Sequence, residues 1–254
     1  MKKRILLINP NTSQAVTDLV AGHVRSQIGD RAELRAVTGR FGARYIASRA
    51  ASVIAGHAAL DALAEHGDGC DAVYLACFGD PGLFALRELS PVPVIGMAEA
   101  ACREAAAAGR FGIVTGGAAW EPMLREFVGT LGLSNRLAAI RTVAPSGGAI
   151  AEDPDRALSA LAQACRDCHE AGAAKVILGG AGLAGLAQRL TSQVPCPLIC
   201  SVEAGTRAVL AAAAAPPEPS ARPTPMESIG LAPTLTRRLA APDGALLPHT
   251  DPMP

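Results

Sequence analysis

KVILGGAGLAGLAQRL, residues Lys175–Leu190, reads as a strand, a small-residue loop and a helix, with Gly180, Gly182 and Gly185 in G-x-G-x-x-G spacing. Glu203 ends the next apolar run, CPLICSVE, about where the ribose-binding carboxylate of a dinucleotide fold would stand. The stretch has a twin. AVYLACFGDPGLFAL, Ala72–Leu86, followed by VPVIGMAEAA, gives the same order: strand, small loop, helix, then Pro, an apolar pair, three residues and Glu-Ala. In this register Cys77 aligns with Gly180, Gly79 with Gly182, Gly82 with Gly185 and Glu99 with Glu203. More weakly, RILLINPNTS matches RFGIVTGGAAW. Duplication therefore explains the Gly and Glu spacing without a nucleotide. A dinucleotide site also needs several strands after its fingerprint, and after Gly185 one convincing strand remains.

Outward from the repeat, β-rich runs alternate with alanine-rich helical stretches: RILLIN, then Gln14–Gln27, AELRAVT, then Ala47–Glu65, DAVYLAC, VPVIGM, RFGIVT, RLAAIRTV, AKVILGG and CPLICSV. The strands are continuous apolar runs, as expected of a parallel sheet buried on both faces. The expected fold class is α/β, two similar doubly wound parallel-sheet lobes related by pseudo-twofold symmetry. Residues 1–100 form the first lobe, 101–215 the second, and 216–254 a proline-rich tail whose ESIGLAPTLTRRL segment can dock on the first lobe.

The chain has 254 residues, half of them apolar, and a formal net charge of zero, which suits globular lobes with a sizeable core. Nucleic acid is not expected as a partner, because there is no basic excess and aromatic residues are scarce. Nor is a membrane. The apolar run after the basic head MKKR is too short for a signal sequence, and the alanine runs are too short to span. A cytoplasmic protein is expected, with seven cysteines as reduced thiols.

In open α/β sheets ligands bind beyond the carboxyl ends of the strands. Four loops stand there, two per lobe: NPNTS, ACFGDPG, VTGGAAW and GGAGLAG. Backbone amides at helix starts would hold an anionic group such as a carboxylate or enolate. The expected ligand-binding residues are Asn11, Thr12, Phe78, Gly79, Asp80, Thr115, Gly116, Gly117, Gly180 and Ala181. Asn-Thr-Ser also suits a helix N-cap. Cys77 is the candidate acid/base, at a strand end ahead of a helix whose N-terminal amides would lower its pKa, although core packing is an equal reading of the residue alone. Asp80 either orients the Cys77 loop or caps the following helix. Tyr45 and Trp120 lie near these loops and suit the site, the core or a lid.

Other patterns carry less. CRDCH, with Cys165, Cys168 and His169, matches a haem-attachment pattern, yet lies inside the helical stretch Pro154–Gly172 without a second C-x-x-C. His23, His57 and His66 have no metal-ligand spacing. No cofactor and no metal are expected, and there is neither a G-x-S-x-G elbow nor a P-loop.

LINPNTS, RYIASRAASVIAGHAALDAL, ACFGDPGL and PVPVIGMAEAA together resemble the aspartate/glutamate racemase superfamily, specifically its hydantoin racemase branch, over most of residues 1–212. The resemblance implies cofactor-independent proton transfer at a carbon next to a carbonyl, between two cysteines that face each other from the two lobes. Cys77 matches the first; Gly180 stands where the second is expected. The ligand implied is a small carboxylate, amino-acid derivative or hydantoin, and a homo-oligomer is compatible with it. Three functions follow: a racemase with Cys77 as one base, a single-cysteine decarboxylase resembling arylmalonate decarboxylases, or a non-catalytic binder of a small carboxylate or ureide.

Overall fold

In the computed structural model, which describes residues 2–144, 147–215 and 224–240, strands and helices alternate. The first series is β1 (Lys3–Asn9), α1 (Gln14–Ile28), β2 (Ala32–Thr38), α2 (Arg49–His66), β3 (Ala72–Leu75), α3 (Leu83–Leu89), β4 (Val94–Gly96) and α4 (Met97–Ala106). The second is β5 (Phe111–Gly116), α5 (Trp120–Thr130), β6 (Leu137–Val143), α6 (Gly147–Glu152), α7 (Leu158–Glu170), β7 (Lys175–Gly179), α8 (Leu186–Leu190), β8 (Leu198–Cys200) and α9 (Ser201–Ala214). α10 (Pro233–Ala240) follows.

The strands build two sheets of four, ordered β2-β1-β3-β4 and β6-β5-β7-β8, with every neighbouring pair parallel. The same order twice gives an α/β fold of two doubly wound parallel-sheet lobes. Helices cover both faces of each sheet, which is why Ile5, Leu6, Leu7 and Ile8 are all buried in one uninterrupted run. α1 shows the complementary helical pattern: Val16, Val20, Val24 and Ile28 recur every fourth residue on its buried face.

The connections fix where the loops meet. Strand order reverses between β1 and β3, and again between β5 and β7, the switch points at which such sheets open a crevice. Ile8 pairs with Leu75 and Thr115 with Gly179, so the loops leaving each pair start level with each other. α2 and the start of α3 touch at the backbone, where a Cβ on Gly82 would stand 2.9 Å from Gly56 Cα.

The last helix of each series crosses over. α9 packs on β1, β3 and β4 of the first sheet, α4 packs on β5, β7 and β8 of the second, and the two helices lie against each other. The buried Tyr74 hydroxyl of β3 donates to the Val202 carbonyl at 3.2 Å. A Cβ on Gly205 would stand 2.2 Å from that hydroxyl, so this contact requires glycine on α9. α10 lies against α2 through buried Leu235 and an Arg238–Asp68 ion pair at 2.6 Å. Residues 216–223 and 241–254, the rest of the expected tail, lie outside the described residues. Among the described residues no helix is long and apolar enough to cross a membrane.

Candidate active site

Loops from the carboxyl ends of β1, β3, β5 and β7 enclose a cavity of about 230 Å³, to which Asn11, Cys77, Thr115 and Gly180 each contribute. Phe78, Gly116, Gly117 and Ala181 also line it. Thr12, Gly79 and Asp80, which the sequence places in the site, do not.

The first loop is held by its own asparagines. Asn11 Oδ1 accepts from the Ser13 amide at 2.8 Å and from Asn9 Nδ2 at 2.9 Å. Asn11, rather than the N-cap Ser13, thus satisfies the start of α1. Asn11 Nδ2 remains as a donor for a ligand. Thr12 faces the other way, its amide donating to the Ala43 carbonyl at 3.1 Å. That bond ties down the loop Gly39–Ser48, which carries Tyr45, Ile46 and Ala47 into the cavity wall.

Cys77 is buried beneath Ile46 and Ala55, with Trp120 of the second series packed on the same cluster. Burial pushes its thiol pKa well up, and the negative charge of Asp80 adds to the shift. The expectation of a thiol acidified by a helix N-terminus fails for a geometric reason: α3 begins only at Leu83. Burial therefore favours the neutral thiol over the thiolate.

Asp80 is outside the cavity because its carboxylate reaches α4, accepting from the Ala98 amide at 2.9 Å and the Glu99 amide at 2.8 Å. It adopts a left-handed conformation rare for a non-glycine residue, φ 46°. A Cβ on Gly96 would stand 2.2 Å from its Oδ2. Asp80 therefore caps α4 rather than α3, and pins the Cys77 loop to it. Burial raises its pKa to about 7, against the two amide bonds that favour the carboxylate. Gly79 is excluded by Trp120, whose Cζ3 lies 2.5 Å from where a Cβ would be.

The glycines of the second loop have packing reasons of their own. Gly179 lies under the Phe78 ring, whose Cε1 is 2.2 Å from a Cβ position. Gly185 faces His23 Cε1 at 2.7 Å on the same measure. Gly180 has φ 133°, and its amide donates to Ser201 Oγ at 3.1 Å. The Gly117 amide is likewise engaged, with the Val143 carbonyl at 3.0 Å. Among the described residues the amides of Ala118, Ala119, Ala181 and Gly182 donate to no protein acceptor, so these are the donors left for an oxyanion.

Elsewhere the cysteines are structural. Cys165 and Cys168 are buried on α7, Cys168 with its Sγ 3.8 Å from the Ile113 carbonyl, and burial raises their pKa values to about 12 and about 11. His169 bonds the Ala173 carbonyl at 3.1 Å. His57 packs on the Phe41 ring and His66 on Arg35. Among the described residues no group of three or more His, Cys, Asp or Glu side chains could hold a metal ion.

Ile46, Ala47 and Val16 also line the cavity and were not singled out in the sequence. For the first two a signal existed: Gly39–Ser48 is an unusually long connection for an α/β unit, and long connections tend to carry function.

Comparison with known proteins identifies the family. Residues 5–209 match the Asp/Glu/hydantoin racemase family model. A hydantoin racemase of Paenarthrobacter aurescens is 37% identical over 210 residues, covering 80% of this chain and 88% of its own. The solved structure of an allantoin racemase from Klebsiella pneumoniae superposes with a TM-score of 0.78 at 34% identity, covering 83% of this chain and 87% of that one. An arylmalonate decarboxylase structure, at 16% identity and a TM-score of 0.59, shares the fold. The chain belongs to the Asp/Glu/hydantoin racemase family, and its enzyme class is that of an isomerase.

Proposed function

We propose that the protein racemises a neutral cyclic ureide of the hydantoin type at the carbon next to its carbonyl, with Cys77 as acid/base. The observation that carries this reading is the composition of the cavity wall: among the described residues it contains Cys77 but no Lys, Arg, His, Asp or Glu. A free amino acid or a malonate would bring charges into an apolar wall that offers no counter-ion, at a cost of several kcal/mol per unpaired ion. A ring ureide brings amide groups, which the backbone donors and Asn11 can satisfy. The names of the relatives, hydantoin racemase and allantoin racemase, point to the same class of substrate.

The chemistry follows from the surroundings of Cys77. Its thiolate removes the proton from the ring carbon, the electron pair moves onto the carbonyl oxygen, and amides of Ala118, Ala119, Ala181 and Gly182 hold the resulting enolate. The raised thiol pKa makes the thiolate scarce but strongly basic, which suits a weakly acidic C–H. Thr115, Gly116, Gly117 and Phe78 shape the wall around the ring. A cytoplasmic location belongs to this reading, in keeping with seven free thiols.

The test is loss of optical rotation by enantiopure 5-substituted hydantoins, run beside free amino acids and arylmalonates. Hydantoin turnover that vanishes in Cys77→Ser is the expected result. Unchanged turnover in that variant, or turnover confined to the charged substrates, would sink the reading.

A further inference from the structure

The two halves of the cavity wall are chemically unequal. Cys77 stands on the first-lobe side. On the second-lobe side, at the aligned position, a Cβ on Gly180 would have Leu183 Cδ1 at 3.6 Å and Thr115 Oγ1 at 3.8 Å. The place of a second side chain is therefore open, with an aliphatic carbon and a hydroxyl as its neighbours. Among the described residues of the wall, Tyr45 is the other with an ionisable group, and it comes from the Gly39–Ser48 loop of the same lobe as Cys77. Cys168 cannot fill the gap, since it is wedged on α7 with its Cβ 2.6 Å from a Cβ position on Gly112. Cys200 is buried at the end of β8 and is not part of the wall.

We infer that this open second face makes the protein an enantioselective α-proton exchange catalyst, which swaps the ring hydrogen of one enantiomer with solvent much faster than it inverts the carbon. The inference rests on the reading of Cys77 as the acid/base. In the fast cycle the Cys77 thiolate takes the proton, the C–H bond breaks as the S–H bond forms, and the electron pair is held as the enolate. The thiol hydrogen exchanges with solvent and is returned to the same face, which restores the thiolate and the starting enantiomer. Inversion takes a second route: a water molecule protonates the enolate on the Gly180 face, and the hydroxide left behind collects the proton from the Cys77 thiol. Without a positioned acid on that face, inversion trails exchange by roughly 100-fold.

The test incubates each enantiomer of a 5-substituted hydantoin with the full chain in deuterated buffer. Chiral chromatography with mass detection separates label uptake from inversion. The expected result is one enantiomer gaining deuterium with retention, about 100-fold ahead of inversion, while its mirror image gains deuterium only as it inverts, at the same slow rate. Inversion of both enantiomers as fast as label uptake, with no deuterium gained with retention, would overturn the inference and leave the racemase reading intact. Inversion that is fast and lost in Tyr45→Phe would also overturn it, by assigning the second face to the phenol. Neither exchange nor inversion with any hydantoin would overturn it together with the reading on which it rests. Gly180→Cys and Gly180→Ala carry the same left-handed backbone penalty, so their difference reports the thiol. A ratio of inversion to exchange that rises in Gly180→Cys and not in Gly180→Ala supports the open face, and an unchanged ratio in both counts against it.

Discussion

Gly179→Ala tests whether the Phe78 ring couples the two lobes at the reactive thiol. A Cβ on Gly179 would stand 2.2, 2.4 and 2.6 Å from Phe78 Cε1, Cζ and Cδ1. Carbon atoms in contact rest about 3.5–4.0 Å apart, so the ring would have to withdraw by roughly 1.5 Å. Phe78 is 4% exposed, and its neighbour in the chain is Cys77. Overpacking of this kind costs about 1–3 kcal/mol. For a chain of this size that corresponds to a fall in Tm of roughly 3–10 °C. Phe78 adjoins Cys77, so a retreat taken up by the backbone displaces the thiol, and a displacement of about 1 Å at a reacting group lowers kcat by roughly 100-fold. Thermal unfolding followed by circular dichroism reads the first effect, and polarimetry on an enantiopure hydantoin the second. Phe78→Leu should recover part of the lost Tm in the double variant, because the shorter side chain clears the new methyl group. Gly179→Ala that melts within about 1 °C of the parent and turns over at the parent rate would refute the contact.

Further outcomes follow from the same geometry. Because Cys77 acts as its thiolate and burial raises its pKa, kcat/KM should climb about tenfold per pH unit from neutrality past pH 9; a plateau near pH 7 would contradict a buried thiol. Asp80 has its pKa raised from 3.8 to about 7, so the stability it contributes is full below 3.8 and is lost as pH rises through about 7. The Tm of the parent relative to Asp80→Asn should accordingly fall between pH 4 and pH 8; a flat difference would mean that the carboxylate stays ionised on its two amides. Leu235→Ala, in a residue 1% exposed, should cost about 2–3 kcal/mol and make α10 the first site of proteolytic cleavage without changing kcat. Arg49 of α2 and Glu126 of α5 form a bidentate pair with both distances 2.6 Å, exposed and spanning the lobes. Arg49→Ala should leave Tm nearly unchanged and raise KM, and a fall of several degrees would show a structural role instead.

The sequence carried the sheets and the loops that meet at their ends. Continuous apolar runs such as ILLI and the repeat around Cys77 and Gly180 are local signals, and they survive folding because each strand is buried on both faces. What the sequence hid depends on contacts between distant segments. The ring packed on Gly179 and the indole packed on Gly79 are invisible in glycine spacing, which by itself also fits a phosphate-binding loop. Asp80 lies three residues from Cys77 but 18 and 19 residues from the Ala98 and Glu99 amides that its carboxylate accepts, so its partners could not be inferred from the chain. The expectation of an acidified Cys77 placed a helix start too early: the chain makes a turn through Asp80 and Gly82 before α3 begins. Thr12 reads as a donor in Asn-Thr-Ser, yet the Gly39–Ser48 loop claims its amide.

The crossing of α4 and α9 bears on how this asymmetry could arise. Each sheet is covered by the final helix of the other half, so neither half is complete alone. A half-length precursor with this architecture would have had to work as a symmetric pair, each copy lending its last helix to its mate. In such a pair any substitution in the loop after the third strand appears on both sides of the cavity at once. Joining the copies in one chain removes that constraint, and a thiol at Cys77 opposite bare backbone at Gly180 is a combination that a symmetric dimer could not encode.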